Sequence, residues 1–487
     1  MQVLKDLEPK RVMHYFEEIS GIQRGSSHEK PMSDYLVKFA KDRGFEVFQD
    51  ELYNILIKAP GSAGGEKAEP VALHGHMDIV WKKDEGSKHD FFKDQLQLYI
   101  EDGYIHAKET TLGADNGIGV AYMLALLEST DIPHPPLEII LTVMEEMGKK
   151  GAAVYDTSKL TAKRMVDFNW VADEILAGCS GDVSLKIDFP TKKEPVPSGM
   201  TPMHLVIEGM VGGHCELDIN LQRGNAIEQL ARMIQNLRAE FDVRIATIRG
   251  GVQNNVIPSD AEAVIYVKSD DKSKVVEKVT KLNKMLQREF DVADKNVSLS
   301  ISEAKSAPDK VFANAITDSL CKTILLIQNG VITMNMHVPG KHETSNNLGI
   351  LVTEEDKIWM ITTITGALTS RKHDAMERIM GLVEMAGNGS TIEMFGVDAP
   401  EFTYKPDSKM LAMAKKAYKE ARGKEPVIEI SNFSLQIGFF IEAVGVDTVG
   451  VGTVLFDIHS PRERMNIESV GQAWDFIKVL MRDLCKE

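Results

Sequence analysis

Two long apolar runs in the first third of the chain each end in charged residues, and this pattern limits the folds that the chain can adopt. PVALHGHMDIV begins at Pro70 and LEIILTVMEE begins at Leu137. Continuous apolar runs are typical of strands covered on both faces, as in a parallel sheet between helices. The helix-like segment VAYMLALLES lies between them. We therefore predict an α/β layer with a largely parallel sheet.

The residues at the end of the first run and before the apolar helix suggest a cation site. His76 and Asp78 stand two positions apart, so they share one face of an extended chain. The imidazole would be the ligand and the carboxylate its support. A polar turn explains the same pattern. Asp115, within GADNGIG, is a carboxylate that could bridge two cations. The alternative is that it caps the N-terminus of the following helix.

Two further segments carry suitable ligands. Glu145 and Glu146 follow the second apolar run, where adjacent carboxylates are costly to bury unless a cation neutralises them. One would bind a metal and the other would act as general base; the alternative is the solvated first turn of a helix. His459 follows the strand-like VDTVGVG in a loop, where a surface histidine is the alternative. Together the segments form the mixed nitrogen and oxygen ligand set of catalytic zinc.

A composition change near residue 190, at DFPTKKEPVPSGMTP, indicates a second domain. Strands alternate with amphipathic helices at 225–240, 273–290 and 373–386, and the α/β pattern returns after about residue 390. We predict a mixed sheet flanked by helices, interrupted by an inserted α+β domain. The predicted boundaries are 1–188 and 393–487 for the first domain and 189–392 for the insert.

Charge and cysteine content narrow the function classes. The formal net charge of −16 argues against a nucleic-acid binder, which would carry a basic surface. The sequence contains no run of eighteen apolar residues, so we predict no membrane helix. The N-terminus also lacks the apolar core of a signal peptide. The four cysteines are widely spaced and form no CxxC pair, which favours a reducing cytoplasm.

Several segments, in order, resemble the motifs of the bacterial aminoacylhistidine (Xaa-His) dipeptidases, carnosinase-like members of the zinc aminoacylase and carboxypeptidase superfamily. They are HGHMDIV, TTLGADNGIG, LTVMEEMGKKGA, GGHCELDINLQRGNA, NNVIP, ETSNNLG and HSPRERMNIESV. The resemblance implies a zinc-peptidase catalytic domain with one or two zinc ions, for which manganese or cobalt would be substitutes. It also implies a lid domain that helps to form a homodimer, and hydrolysis of short peptides, above all Xaa-His dipeptides.

The resemblance also implies the metal ligands. His76 would bind the first zinc, Asp115 would bridge both ions, and Glu146 and His459 would complete the second. The family has an Asp ligand for the first zinc where this chain has Asn169. An amide oxygen coordinates, but it is neutral and a poorer zinc ligand than a carboxylate.

The same resemblance implies roles for four further residues. Glu145 would be the general base and Asp78 would orient His76. In the insert, His214 and Asn255 match positions that in the superfamily approach the substrate or the developing oxyanion.

Some motif positions differ from the family pattern. The family's H-A-G-L-E-C-G reads NFSLQIG here, so that Asn432 and Gln436 replace a histidine and a glutamate. An arginine of the lid motif is replaced within TGALT, and Arg371 follows it in sequence. Two alternatives to a dipeptidase follow from these differences. One is a homologue that binds peptide or metal without turnover, and the other is an amidohydrolase acting on N-acyl amino acids.

Overall fold

A computed structural model of the chain describes residues 2–336 and 338–486. These residues form two compact units. Unit 1 contains residues 1–179, 399–431 and 435–487, and unit 2 contains residues 180–398 and 432–434. The chain thus leaves unit 1 once for a long excursion and once for three residues. The boundaries predicted from the sequence, after residues 188 and 392, fall inside two strands, Ile175–Pro190 and Thr391–Ala399.

The helices are spread along the whole described chain. They are α1 (Lys10–Ser20), α2 (Lys30–Asp42), α3 (Ala114–Glu128), α4 (Lys150–Ala153), α5 (Ala226–Arg238), α6 (Lys272–Glu289), α7 (Asn314–Leu326), α8 (Thr369–Ala386), α9 (Lys409–Arg422), α10 (Ile437–Val444) and α11 (Ile467–Leu484). Within the described residues, none of these helices has the length and apolar character that a membrane crossing requires.

The strands of the first 214 residues include the two apolar runs. They are β1 (Glu46–Gln49), β2 (Ile55–Ala59), β3 (Val71–His76), β4 (Leu98–Glu101), β5 (Tyr104–Ala107), β6 (Leu137–Thr142), β7 (Arg164–Trp170), β8 (Ile175–Pro190), β9 (Lys193–Pro195), β10 (Met200–Glu208) and β11 (Gly213–His214).

The later strands belong mainly to unit 2. They are β12 (Val243–Gly250), β13 (Val256–Ile257), β14 (Ala261–Lys268), β15 (Ser298–Glu303), β16 (Lys310–Phe312), β17 (Gly330–Met334), β18 (His342–Thr353), β19 (Lys357–Gly366), β20 (Thr391–Ala399), β21 (Ile428–Ser434), β22 (Asp447–Gly452), β23 (Leu455–Phe456) and β24 (Arg464–Asn466).

Unit 1 is built on a mixed sheet with the order β1-β2-β6-β3-β7-β22-β8. Its central strands β6, β3, β7 and β22 run parallel to one another. Strands β1, β2 and the start of β8 pair antiparallel at the two sides. A second, small sheet joins β23, β24, β5 and β4. The predicted mixed sheet flanked by helices is confirmed.

Both faces of this sheet are covered, which explains the continuous apolar runs. Leu73 and Ile139 belong to a core that includes residues of α1, α2, α3, α9 and α11. The alternate residues Ala72 and Ile140 belong to a second core with Phe440 of α10. Full burial of such an aliphatic side chain contributes about 1.5–3 kcal/mol. The sheet therefore stays between the helices, and its strand ends are free to carry function.

The parallel register brings the candidate residues to one edge of the sheet. His76 at the end of β3 pairs with Thr142 at the end of β6, three residues before Glu145. On the other side of β3, His74 pairs with Asp167 of β7, two residues before Asn169. Ligand sites of open α/β sheets lie at this carboxyl edge.

Unit 2 has an antiparallel sheet, formed by the later part of β8 and then β19, β18, β12, β14, β10 and β15. Residues of α5, α6, α7 and α8 pack with the sheet in one apolar core. The predicted helices at 225–240, 273–290 and 373–386 correspond to α5, α6 and α8. Helix α7 was not predicted, although its buried residues Ile316, Leu320 and Ile324 follow a four-residue spacing.

Candidate active site

Three side chains from three different strand ends or loops of unit 1 meet at the carboxyl edge of the sheet. His76, Asp115 and Glu146 each offer a ligand atom, and these atoms lie within 4.8 Å of one another. His76 Nε2 is 3.2 Å from Asp115 Oδ1. Asp115 comes from the kinked start of α3, where no side-chain cap hydrogen bond is formed. The sequence prediction that these residues converge agrees with this arrangement.

His459 extends the cluster on its other side. Its Nε2 atom is 2.9 Å from Glu146 Oε1 and 3.6 Å from Asp115 Oδ2. The two oxygens of Asp115 therefore face two different histidines, His76 and His459. This is the arrangement that a carboxylate bridging two metal positions needs, with one imidazole on each side.

The histidines are held in a strongly acidic environment. Burial opposes the charged form of His76, but its hydrogen bonds with Asp115 and Asp78 outweigh this effect and raise its pKa well above the usual value. Burial also opposes the charged form of His459, but its hydrogen bonds with Asp115 and Glu146 outweigh burial and raise its pKa to about 11. In the absence of a cation, protons on the imidazoles balance the carboxylates.

The carboxylates respond in two ways. Burial works to raise the pKa of Asp115, but bonds with His459 and His76 hold it below the usual value. Burial raises the pKa of Glu146 to about 8, against the opposing bond with His459. Metal binding requires neutral imidazoles and ionised carboxylates, so a cation would replace these protons. The donor set, two imidazoles and two carboxylates, fits a divalent metal of the zinc type.

Glu145 lies beside the ligands and outside the convergent set. Burial raises its pKa, His76 and Lys149 oppose the shift, and Asp115 and Asp78 add to it. Neither Glu145 nor Glu146 is in a helix, because both stand in a turn between β6 and α4. The alternative of a solvated first helical turn is therefore wrong, since the helix that follows, α4, begins only at Lys150.

Asp78 supports both the histidine and the acidic turn. His76 Nδ1 is 3.0 Å from the backbone oxygen of Asp78 and 3.4 Å from its Oδ1. The Asp78 carboxylate also accepts hydrogen bonds from the backbone N–H groups of Glu145 (3.0 Å) and Glu146 (3.2 Å). The Nδ1 contact favours the tautomer that leaves Nε2 of His76 available as a ligand.

Ser26 and Glu29 have the sequence spacing of a helix capping box, but α2 begins without a side-chain cap. Ser26 Oγ instead donates to Asp78 Oδ2 at 2.7 Å. Glu29 Oε1 accepts the backbone N–H of Met144 at 2.9 Å, and also that of Ser27. Tertiary contacts with the acidic turn thus replace the local cap.

The carboxylate nearest to Asn169 along β7 is that of Asp167, and it pairs with a histidine outside the metal-ligand cluster. Asp167 Oδ1 is 2.6 Å from Nδ1 of His74, and both side chains are almost completely buried. Asn169, two residues later, is 7% exposed. Asn169 follows Asp167 by two residues along β7, so it lies nearer the carboxyl edge of the sheet.

The two amides that differ from the family motif have hydrogen-bond partners. In unit 1, Gln436 is fully buried and its Oε1 accepts a hydrogen bond from Thr142. In unit 2, Asn432 Nδ2 donates to the backbone oxygen of His342 at 2.8 Å. Both amides therefore have a structural role in the unit to which they belong.

The predicted substrate residues lie side by side in unit 2. His214 of β11 pairs with Val256 of β13, and the N–H of Cys215 donates to the backbone oxygen of Asn255 at 2.9 Å. The His214 ring contacts Phe433 edge-on at 5.1 Å between centroids. The side chain of Asn255 is exposed.

Sequence reasoning missed two buried residues next to the ligands. Glu463 is 2% exposed and Arg24 is completely buried. Glu463 follows His459 by four positions within the segment HSPRERMNIESV, and this short distance from a predicted ligand could have indicated it. Arg24 precedes α2 in a segment without any motif, and nothing in the sequence distinguishes it.

A comparison with protein families identifies the family of the chain. The family model described as Peptidase family M20/M25/M40 matches residues 72–483. The chain belongs to this peptidase family. The matched residues include the segments of unit 1 that carry His76, Asp115, Glu146 and His459.

Individual relatives cover nearly the whole chain. The cytosol non-specific dipeptidase of Escherichia coli (strain K12) is 31% identical over 486 residues, which is 99% of both chains. The crystal structure of aminoacylhistidine dipeptidase from Vibrio alginolyticus is also 31% identical, with a TM-score of 0.83 over 99% of this chain and 98% of that one. Aminopeptidase PepT from Bacillus cereus ATCC 10987 has a TM-score of 0.55 at 16% identity over 98% of this chain and 99% of its own, which shows the shared fold alone.

Proposed function

We propose that this member of the family is a metal-dependent dipeptidase that uses Glu145 as general base. The observation that carries the proposal is the convergence of His76, Asp115, Glu146 and His459, with both oxygens of Asp115 shared between two histidines. The two full-length relatives named as dipeptidases support the same substrate class. Small peptides, with Xaa-His dipeptides among them, are the proposed substrates.

The proposed metal is zinc, in one or two ions, and manganese or cobalt would substitute. His76 and Asp115 would hold one ion together with the amide of Asn169, and Asp115, Glu146 and His459 would hold the other. Bound metal would polarise the scissile carbonyl and lower the pKa of the attacking water. Because one position has a neutral amide in place of a carboxylate, we propose that it binds its ion more weakly.

The chain's own residues perform the proton transfers. Glu145 would take the proton of the attacking water and later deliver it to the leaving amine, so that it acts first as base and then as acid. Its raised pKa suits both roles, since a general base works best with a pKa near the working pH. Asp78 would hold the Glu145 backbone and the His76 ring in place during the reaction.

In unit 2 we propose that His214 and Asn255 approach the substrate or the developing oxyanion. We also propose a homodimer and a cytoplasmic location. The four free cysteines and the cytosolic naming of the Escherichia coli relative support the cytoplasm.

A panel of dipeptides tests the proposed function. Purified full-length protein is assayed with added zinc, manganese or cobalt against Xaa-His dipeptides, other dipeptides and N-acyl amino acids. The proposal predicts metal-dependent cleavage of dipeptides. Cleavage of N-acyl amino acids alone would favour the amidohydrolase alternative. No turnover by folded, metal-loaded protein would favour a binding protein without turnover.

A further inference from the structure

One buried carboxylate next to the site holds the backbone that carries Asp115. Glu463 Oε2 accepts the N–H groups of Leu112 at 2.8 Å and Gly113 at 3.0 Å. Its Oε1 accepts the N–H of Ala114 at 2.9 Å, and that of Asp115 lies at 3.5 Å. Hydrogen bonds from backbone N–H groups to an ionised carboxylate are stronger than neutral ones. A single side chain thereby fixes four successive residues.

The same segment presents a metal-binding histidine. His459 and Glu463 are four residues apart, and the N–H of Glu463 donates to the backbone oxygen of Ser460 at 3.0 Å. His459 has a φ angle of +61°, which turns the chain sharply at this position. One short turn therefore delivers an imidazole to Asp115 and a carboxylate to the backbone behind Asp115. The distance between the two ligands depends on this turn.

A buried cation supports the loop from the other side. Arg24 Nη2 donates to the backbone oxygen of Gly113 at 2.9 Å. The loop packs so closely that a Cβ at Gly117 would lie 2.5 Å from the same nitrogen. A buried carboxylate without a nearby positive charge is costly, and Arg24 provides that charge beside Glu463 and Asp115.

We propose that Glu463 is a positioning residue that holds Asp115 at the distance from His459 at which both bind the same metal ion. This inference rests on the proposed function for the metal and goes beyond it, because Glu463 itself contacts neither metal nor substrate. Glu463 acts by keeping the Asp115 carboxylate in place for a cation before the cation binds. Residues that orient metal ligands typically contribute about 10–100-fold in metal affinity.

The test compares Glu463→Gln with a matched control, Glu138→Gln. Glu138 is also a buried carboxylate of unit 1 that accepts backbone hydrogen bonds, from Thr161 at 2.9 Å and Ala162 at 3.0 Å. It lies near the start of β6, at the opposite end of that strand from the site. In both variants an NH₂ group replaces one acceptor oxygen of a buried carboxylate, but only Glu463→Gln alters the loop of Asp115.

Metal affinity distinguishes a positioning role from a purely structural role, because a loss of stability alone would leave the affinity of the folded protein unchanged. Full-length protein is stripped with a chelator and titrated with Co²⁺ or Zn²⁺ by calorimetry, and Co²⁺ absorption reports the ligand geometry. We expect Glu463→Gln to bind metal about 10–100-fold more weakly, to show an altered Co²⁺ spectrum, and to regain activity at saturating metal. We expect Glu138→Gln to bind metal like the wild type.

The outcomes separate this inference from the proposed function. Wild-type affinity in folded Glu463→Gln, or an equal loss in Glu138→Gln, would overturn the positioning role and leave the dipeptidase proposal intact. If Glu463→Gln does not fold, Glu463→Asp, which withdraws the carboxylate from the loop but keeps its charge, is judged by the same criterion. Failure of the wild-type protein to bind metal would overturn both proposals.

Discussion

The two units bury polar groups in different ways. At the carboxyl edge of the unit 1 sheet, the buried groups are mostly charged. His76 pairs with Asp78 and Asp115, and Glu463 accepts backbone N–H groups of the loop that carries Asp115. In the middle of β18 and β19 in unit 2, the buried groups are neutral amides and hydroxyls. Asn347 Nδ2, for example, donates to the backbone oxygens of Asn254 at 3.0 Å and Val256 at 2.9 Å.

The two kinds of buried polar group differ in the free energy that their burial costs. A neutral amide satisfied by its neighbours adds order at little cost, because no charge leaves water. Converging like charges are costly unless a further charge joins them. The cluster at the carboxyl edge of unit 1 therefore has a charge balance that a cation would complete, whereas the amides and hydroxyls in the middle of β18 and β19 carry no charge that needs balancing. The predictions below test this contrast.

Metal binding should stabilise unit 1 and leave unit 2 nearly unchanged. Metal at about 1,000 times its Kd adds about 4 kcal/mol to the free energy of unfolding of the part that binds it. Hydrogen exchange of β3, β6 and β7 should slow on addition of zinc, whereas exchange of β10 and β14 should not. Equal protection in both units would contradict the contrast.

Acid should destabilise unit 2 through one buried neutral histidine. Neither ring nitrogen of His342 has a hydrogen-bond partner among the described residues, and burial lowers its pKa to about 4. The unfolded value is about 6.5. The unfolded chain therefore takes up the proton first, so stability is complete above pH 6.5 and falls as the pH drops toward 4. The expected loss at pH 4 is at most about 3 kcal/mol.

Urea unfolding of the wild type and of His342→Gln, at pH 7 and pH 4.5, checks this effect. The glutamine stays neutral at both values, so the variant should lose less stability than the wild type on acidification. An equal loss in the two proteins would show that His342 does not cause it.

A carboxylate at position 169 should strengthen the weaker metal position. We expect Asn169→Asp to bind the more weakly held ion about tenfold more tightly, which is about 1.4 kcal/mol. Asn169→Leu, of similar size and without a donor oxygen, should weaken the same ion. Metal titration followed by elemental analysis measures both. Identical titrations for the three proteins would remove Asn169 from the ligand set.

The smallest expected effect belongs to unit 2. If the exposed side chain of Asn255 donates one hydrogen bond to substrate, Asn255→Ala should lower kcat/KM about fivefold, which corresponds to about 1 kcal/mol. Metal content should not change. A change in metal content without a change in kcat/KM would contradict the substrate role, and steady-state kinetics on one dipeptide decides between them.

The fold of unit 1 was predictable because its central strands are covered on both faces, which leaves continuous apolar runs in the sequence. The ligands were predictable because parallel strands end at one edge, so that His76 and the residues after Thr142 had to meet. The segments that resemble the dipeptidase motifs indicated the same residues as ligands. Both signals are local in sequence.

The supporting contacts were not predictable from local patterns. Ser26 and Glu29 have the spacing of a helix cap, but their partners Asp78 and Met144 are distant in sequence and take those side chains away from α2. Helix α7 was missed because its β-branched residues, such as Ile316 and Ile324, do not favour a helix by themselves. Tertiary packing decided both cases.

Glu145→Gln tests the central claim most directly. The substitution keeps the size of the side chain and leaves His76, Asp115, Glu146 and His459 in place, but it removes the base. With metal-loaded protein and a dipeptide substrate, the account predicts that kcat falls about 10²–10⁴-fold while metal content and fold stay as in the wild type. Full activity in Glu145→Gln with bound metal would contradict it.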